Sequence, residues 1–368
     1  MPTGNSSVVS FSDAALRKEV VEAAIRAPSG DNCQPWRFRF ERDRVEIYML
    51  PDRAQSFFDF RNRGTYLSIG AVVENIRVRV ACSDLALIAH YPAGEPAPGM
   101  PTVSGSLRPG IVADGARARL AALHERTVNR RPFLPKRIAP EKQKAWLADQ
   151  VDGTAIAIIE SRREIARWAR VVYLGDRIRW THPTIHNELF SKILFSRAEA
   201  DSKRAGLEID RLGAGPFAAS LMHWLQPWSR MERLARCGVD RVLANQTRSL
   251  AFCAGALVLV TIERDEPEQW IRAGEQVQRL WTTAHQQGLC VQPLPIAMYL
   301  DQRFQKEGAE HFPPAHRPLL EQMRGDLALL IGNRVGAMLY RVGLGLRMSR
   351  PAVRLPAESF YDDLVVAP

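Results

Sequence analysis

The sequence predicts an α+β protein in which one sandwich plan is laid down twice, and three observations carry that expectation. Helix-period segments alternate with a smaller number of strand-like ones. Residues 64–81 form a long, mostly apolar helical segment with Leu67, Ile69, Ala71, Val72, Ile76 and Val80, as the central helix of a two-layer domain requires. After residue 108 a second helix–strand series begins, and residues 181–250 exceed its plan. The 368 residues suffice for two ordinary domains or one large domain with an insertion.

Residues 1–12 are polar and read as a frayed arm. Asp13 is a fitting N-cap for a helix over 13–27, with Ala15, Leu16, Val20, Ala23, Ala24 and Ala27 near one face. Segments 36–40 and 45–50 read as a hairpin turning at residues 41–44. Helix 64–81 leads to a strand at 85–91, a Pro/Gly-rich loop at 92–101 and a helix at 110–125. The first half is therefore placed at 1–108 and the second at 109–368. In the second half, helix 141–149 precedes strand 155–160 and helix 162–180. Strand 256–262 then leads to helix 266–287 and a strand at 326–332. Residues 181–250 are too many for a bare loop, so a helical insertion is expected, broken at Gly213, Gly215 and Pro216 and carrying Phe217, Trp224 and Trp228.

Composition removes several function classes. Hydrophobic residues at 46% and charged ones at 24% are those of a soluble globular protein. No signal-peptide pattern opens the chain, and the longest apolar run, 250–262, is too short to span a bilayer, so a cytoplasmic protein without membrane contact is expected. The net charge of +10 is spread along the chain without blocks or RNP-type aromatics, which argues against nucleic acid. Five cysteines without a C-x-x-C pair fit reduced, separate thiols. His182 and His186 stand four apart with Pro183 between them and lack the ligand count for zinc, so packing is expected and no metal site.

Two segments carry chemistry. Residues 28–40 read Pro-Ser-Gly-Asp-Asn-Cys-Gln-Pro-Trp-Arg-Phe-Arg-Phe, between a helix and a strand. That junction gathers Ser29, Asn32 and Gln34 on a tight turn, where short polar side chains can bond a planar, heteroatom-rich ligand. Residues 126–133 read Arg-Thr-Val-Asn-Arg-Arg-Pro-Phe, and three guanidiniums so close together can take a phosphate by forked hydrogen bonds. A basic helix end would also collect such residues.

The pattern P-S-x-x-N-x-Q-P-W-R-F resembles the flavin-binding loop of the nitroreductase superfamily, and residues 126–133 resemble its R-x-S-x-R-x-F segment, with Asn129 in place of the small hydroxyl residue. In single-length members the arginine motif comes first, and the flavin lies at a dimer interface. Here the order is reversed and each motif occurs once, as in a fused pseudo-dimer with one surviving site; this is similar to the double-length, nitroreductase-like Acg group. Arg53, Arg61, Gly70, Ala71, Asn75 and Arg77 match that group's pattern over 52–77, and Gly288-Leu289 with Pro293 resembles its G-L-x-x-x-P. Arg347 and Arg350 resemble a C-terminal basic pair. After Pro293 the family's Q-P-x-E run is replaced by Leu294-Pro295-Ile296-Ala297.

The resemblance implies a nitroreductase-like fold of two fused halves, and FMN as cofactor with NADH or NADPH as reductant; the surplus length of 181–250, its breakers and its aromatics, which the family does not match, make a lid the expected role of that segment. It implies cofactor contacts from Pro28, Ser29, Asn32 and Gln34, from Arg126, Asn129, Arg130 and Arg131, from Gly288 and Leu289, and from Arg347 and Arg350. The flavin itself carries the chemistry, so no catalytic side chain is assigned. Electron transfer to or from a small conjugated substrate is one expected function; sequestration of FMN under a closed lid is the other. Trp224 and Trp228 are the expected stacking residues of the lid, Cys33 a small packing residue, and the chain a monomer whose dimer interface is internal.

Overall fold

The computed structural model describes residues 10–111, 114–213 and 216–362, with the side chains of residues 216–218 left out. Most of the expected N-terminal arm, part of the expected helix 110–125, Gly215 and the Phe217 side chain fall outside the described set.

The first series runs α1 (Ala14–Ala24), β1 (Trp36–Phe40), β2 (Arg44–Met49), α2 (Pro51–Ala54), α3 (Arg63–Ala81), β3 (Leu85–His90) and β4 (Val103–Pro109). Asp13 caps α1 through its carboxylate, which accepts from the Ala15 amide at 2.8 Å. In β1, Trp36, Phe38 and Phe40 are buried while Arg37 and Arg39 face water, the period of two that a half-buried strand requires. The four strands form one antiparallel sheet in the order β1-β2-β4-β3.

The chain continues through α4 (Ala116–Glu125), α5 (Pro140–Leu147), β5 (Thr154–Ile159) and α6 (Arg162–Thr181). An excursion follows: α7 (Pro183–Lys192), β6 (Ile193–Leu194), α8 (Arg197–Lys203), β7 (Leu207–Glu208), α9 (Pro216–Leu225), α10 (Trp228–Arg236) and α11 (Val239–Phe252). Then come β8 (Ala256–Ile262), α12 (Pro267–Gln286), β9 (Cys290–Pro293), α13 (Ile296–Glu307), α14 (Arg317–Ile331) and β10 (Val335–Gly343). The second antiparallel sheet has the order β5-β8-β10-β9.

In both sheets, strands taken in chain order occupy the first, second, fourth and third places, and a long helix links the second strand to the third. Those two helices, α3 and α12, lie against each other at the centre of the molecule. Glycine makes the approach possible: a Cβ on Gly70 would sit 1.8 Å from the Ile271 carbonyl oxygen, and one on Gly274 would sit 2.0 Å from that of Leu67. Buried polar groups cross the same seam. Gln278 donates to Asn75 Oδ1 at 2.6 Å, Arg77 meets Glu275 at 2.7 Å, and Arg279 meets Glu74 at 2.9 Å. A single apolar core runs through both sheets and this helix pair.

Several sequence expectations are corrected here. Residues 326–332 are the end of helix α14, not a strand; Leu320, Met323 and Leu327 are its buried positions, at helical spacing. Five strands went unread: the two-residue β6 and β7, and β4, β9 and β10. β4 is rich in Ser and Gly, and a Cβ at Gly105 would crowd the Leu87 side chain at 2.8 Å. β9 has four residues, and β10 is buried almost throughout, which removes the alternation that marks a strand. No helix among the described residues is long and apolar enough to cross a membrane.

Candidate functional site

A cavity of about 650 Å³ opens where the 28–34 loop, the 126–130 segment, the strand end at Gln292–Pro295, the excursion after α6 and the C-terminal segment meet. The loop follows α1 and places three non-glycine residues, Asp31, Asn32 and Gln34, at φ of 48°, 57° and 53°. It is pinned by hydrogen bonds within the loop and to distant segments of the chain. Ser29 Oγ accepts from the Gln34 amide at 3.0 Å, and Asn32 Oδ1 accepts from Arg354 at 2.7 Å. Asn32 Nδ2 donates to the Val353 carbonyl at 3.1 Å; Gln34 donates to the Arg204 carbonyl at 2.9 Å and accepts from the Leu355 amide at 3.0 Å. Pro28, Ser29 and Asn32 line the cavity, whereas Gln34 is a fully buried anchor behind it. The side-chain oxygen and nitrogen of Asn32 are thus bonded to the C-terminal segment at the cavity wall.

Arg126 and Arg130 line the cavity, Asn129 and Arg131 do not. Asn129 braces the segment along β9: its amide donates to the Leu346 carbonyl at 2.7 Å, and its Oδ1 accepts from the Arg131 amide at 3.0 Å. Arg131 is exposed. Besides Arg179 of α6, three further arginines stand in the cavity wall without having been singled out in the sequence: Arg26, Arg211 and Arg354. Arg26 directly precedes the A-P-S of the loop, and Arg354 follows the C-terminal basic pair, so both adjoin legible motifs. Arg211 lies in the excursion, where no motif marks it.

These five guanidiniums disfavour one another. Burial and then Arg26 push Arg126 down to about 9. Burial and then Arg211 bring Arg130 and Arg26 each to about 10. Burial, Arg26, Arg126 and Arg211 hold Arg354 well below its usual value. Arg126 lies 4.4 Å over the Trp281 ring and donates to the Arg26 carbonyl at 2.5 Å, while the Nε atoms of Arg26 and Arg126 are buried without a hydrogen bond. Glu208 is engaged by Arg350 at 2.5 Å, with Arg211 3.7 Å away. A group of buried cations at such mutual cost is a strong receptor for an anion.

The remaining expected contacts fall beside the cavity. Gly288, at φ of 83°, and Leu289 terminate α12, their amides donating to the carbonyls of His285 at 3.0 Å and Ala284 at 2.9 Å. Instead, the next residues, Gln292 to Pro295, line the wall. Arg347 is exposed and donates to the His285 carbonyl at 3.2 Å. Arg350 acts one step back, through Glu208.

The excursion supplies an apolar wall with Leu189, Leu221, Met222 and Leu225. Trp224 is exposed and Trp228 packs on His186 at 5.2 Å; neither lines the cavity, which corrects their expected stacking role. His182 bonds the His311 carbonyl at 2.8 Å and His186 the Gln226 carbonyl at 3.0 Å. Among the described residues no group of three His, Cys, Asp or Glu is placed to hold a metal. Burial pushes the Cys33 thiol up to about 12, so a neutral, unreactive side chain sits there. Three carboxyls in the wall, Asp31, Asp59 and Glu188, are raised by burial.

No protein-family model matches the chain. It is 29% identical over 301 residues to an uncharacterized protein of Mycobacterium tuberculosis, covering 80% of this chain and 41% of the relative. It is 30% identical over 179 residues to acg of the same organism, provisionally named an NAD(P)H nitroreductase, covering 47% of this chain and 52% of the relative. The chain thus spans about half the length of the curated relatives it matches. Among solved structures it is similar to a nitroreductase with bound FMN from Desulfitobacterium hafniense DCB-2, at 9% identity and a TM-score of 0.35, over 65% of this chain and 95% of that one.

Proposed function

As a nitroreductase-like chain of the Acg-like group, this protein is, we propose, an FMN-dependent oxidoreductase acting on a small conjugated substrate. The observation that carries it is the cluster of Arg26, Arg126, Arg130 and Arg354 in the cavity that also holds the 28–34 loop. These residues fit the cofactor: a phosphate dianion among them supplies the opposite charge that their depressed pKa values call for, and the unbonded Nε atoms of Arg26 and Arg126 lie in the same group. The cavity volume is that of a site for a cofactor-sized ligand. A bound flavin would supply hydride and electron transfer. The chain's own work is to hold the phosphate on the arginines, to shape the floor with the 28–34 loop, and to exclude water with the apolar wall of the excursion.

The repeated strand order and the α3–α12 seam support a fused pseudo-dimer with one site; on this reading the protein acts as a monomer, with NADH or NADPH as reductant. The test is to purify the protein, release the flavin by acid precipitation and quantify it. About one FMN per chain is expected, since each motif occurs once. Two, or no affinity, overturns the fused single site.

Sequestration of FMN is favoured by a separate observation, the length of excursion that walls the cavity. Rapid mixing with NADH or NADPH separates the two: bleaching of the flavin band supports turnover, and an unchanged band supports storage.

A further inference from the structure

We propose that Asp31 is the proton-transfer residue of this site, giving a proton to the substrate when an acceptor is reduced and taking one when a donor is oxidised. The inference rests on the flavin site proposed above. Asp31 lies inside the 28–34 loop, between Ser29 and Asn32, whose side chains are both engaged within the protein. The Asp31 carboxyl, by contrast, lines the cavity and makes no hydrogen bond or ion pair among the described residues. It is held there by a backbone at φ of 48°, in the left-handed region that Asp and Asn enter more readily than other side chains. Asn32 and Gln34, fixed by five hydrogen bonds to other parts of the chain and to the loop, keep that conformation in place. The loop's anchors are thus spent on presenting one free carboxyl to the ligand space.

Its surroundings suit the task. Burial raises its pKa, and three cations facing it oppose that rise: Lys192 at the end of α7, Arg130 of the arginine segment and Arg179 of α6. Glu188 of α7 and Cys33 of the same loop are the other titratable groups that feel its charge. Lys192 also lines the cavity and carries no ion pair among the described residues, so it faces Asp31 without neutralising it by contact. A carboxyl raised by burial, opposed by nearby cations and open to the ligand space is placed to exchange a proton with a ligand.

The balance is simple for a quinone acceptor. Two electrons come from a nicotinamide or from dithionite by way of the bound flavin, and the one hydrogen that travels with them comes from the nicotinamide hydride or, with dithionite, from solvent. The O–H bond of Asp31 breaks as a new O–H bond forms on the acceptor oxygen. The Asp31 carboxylate is then reprotonated from water, so the second hydrogen comes from solvent.

The experiment uses the FMN-loaded full chain, reduced with dithionite and mixed with 1,4-benzoquinone across about pH 5 to 9. In the parent protein the rate should fall as pH rises through the Asp31 ionisation. Asp31→Asn should lose roughly a hundredfold at the acid end and show a flat profile, with FMN still bound by fluorescence quenching. Lys192→Met removes a cation without altering the loop, and its inflection should move to higher pH. A parent protein without FMN affinity overturns both the flavin site and the proton role. A flavin-binding parent whose Asp31→Asn variant keeps rate and pH profile, or whose Lys192→Met inflection stays in place, overturns the proton role alone.

Discussion

Arg130 stands at the meeting point of two costs, since its guanidinium is buried beside Arg211 and donates to the Arg211 carbonyl at 3.2 Å. Truncation to alanine removes a charge-assisted contact to a bound phosphate, worth about 1.5–3 kcal/mol, or ten- to a hundredfold in affinity. Arg130→Ala should therefore weaken FMN by that factor and leave riboflavin nearly unaffected, as read by fluorescence titration. Equal losses for both flavins would place Arg130 away from the phosphate. His316 is the other residue with a defined cost. Its ring takes part in a 2.8 Å hydrogen bond with Thr181 Oγ1 and faces His182 at 5.7 Å, and burial and then His182 bring it down to about 4. A histidine lowered in the folded state stabilises above its unfolded pKa near 6.5 and loses that contribution as pH falls toward 4. Acidification from pH 7 to 5 should cost on the order of 2 kcal/mol through this group. His316→Gln should flatten that part of the stability curve in urea titrations; an unchanged slope would show that the ring is already solvated.

At the scale of elements, the α3–α12 seam has no room for a side chain at Gly70. The atoms that a Cβ would meet are the backbone of Ile271 and Gly274, which cannot rotate away. Gly70→Ala should destabilise by about 3 kcal/mol, the upper end of ordinary overpacking. Gly325 in α14 is the control, because nothing lies within 4 Å of its would-be Cβ, and Gly325→Ala should be neutral or gain up to about 1 kcal/mol. Chemical denaturation of both variants checks the pair; similar behaviour would mean that the helices separate at little cost. The excursion makes a different demand. Met222 and Leu225 line the cavity, so Met222→Ala with Leu225→Ala should widen the range of bulky electron acceptors, whereas exposed Trp224→Ala should leave flavin fluorescence unchanged. An unaltered acceptor range in the folded double variant would make the excursion a scaffold and not a cover.

Across the whole molecule, the C-terminal segment closes the structure on its first sheet. The Phe38 amide donates to the Phe360 carbonyl at 2.7 Å, extending the sheet at the β1 edge, and Val128 pairs with Val291 beside β9. Through the same C-terminal segment, Arg354 reaches the Ile25 and Ala27 carbonyls at 2.6 and 3.1 Å. The 28–34 loop, the arginine cluster and the sheet edge are therefore one mechanical unit. FMN should raise the unfolding temperature of the entire chain in one transition, by the linkage of binding to folding, as calorimetry would show. Two separated transitions, with only one shifted by FMN, would mean that the sheets unfold independently.

By itself the sequence determined the α+β class, most helices and both chemical motifs, because helix period, caps and the residue order of a tight turn are local properties. Asp13, the hairpin from Trp36 and the central helix with Gly70 were all legible on that ground. Strands β4, β9 and β10 were not, since small residues, short length and burial on both faces erase alternation. Nor could spacing show that Asn32 turns to Arg354, that Gly288 ends a helix beside the cavity, or that Trp224 faces water. Those outcomes depend on which distant segments arrive at the same place. Arg26, Arg211 and Arg354 are separated by up to 328 positions in the chain, yet the tertiary structure brings their charges together around one cavity. Only there does their mutual repulsion exist, and with it the physical basis for binding an anion.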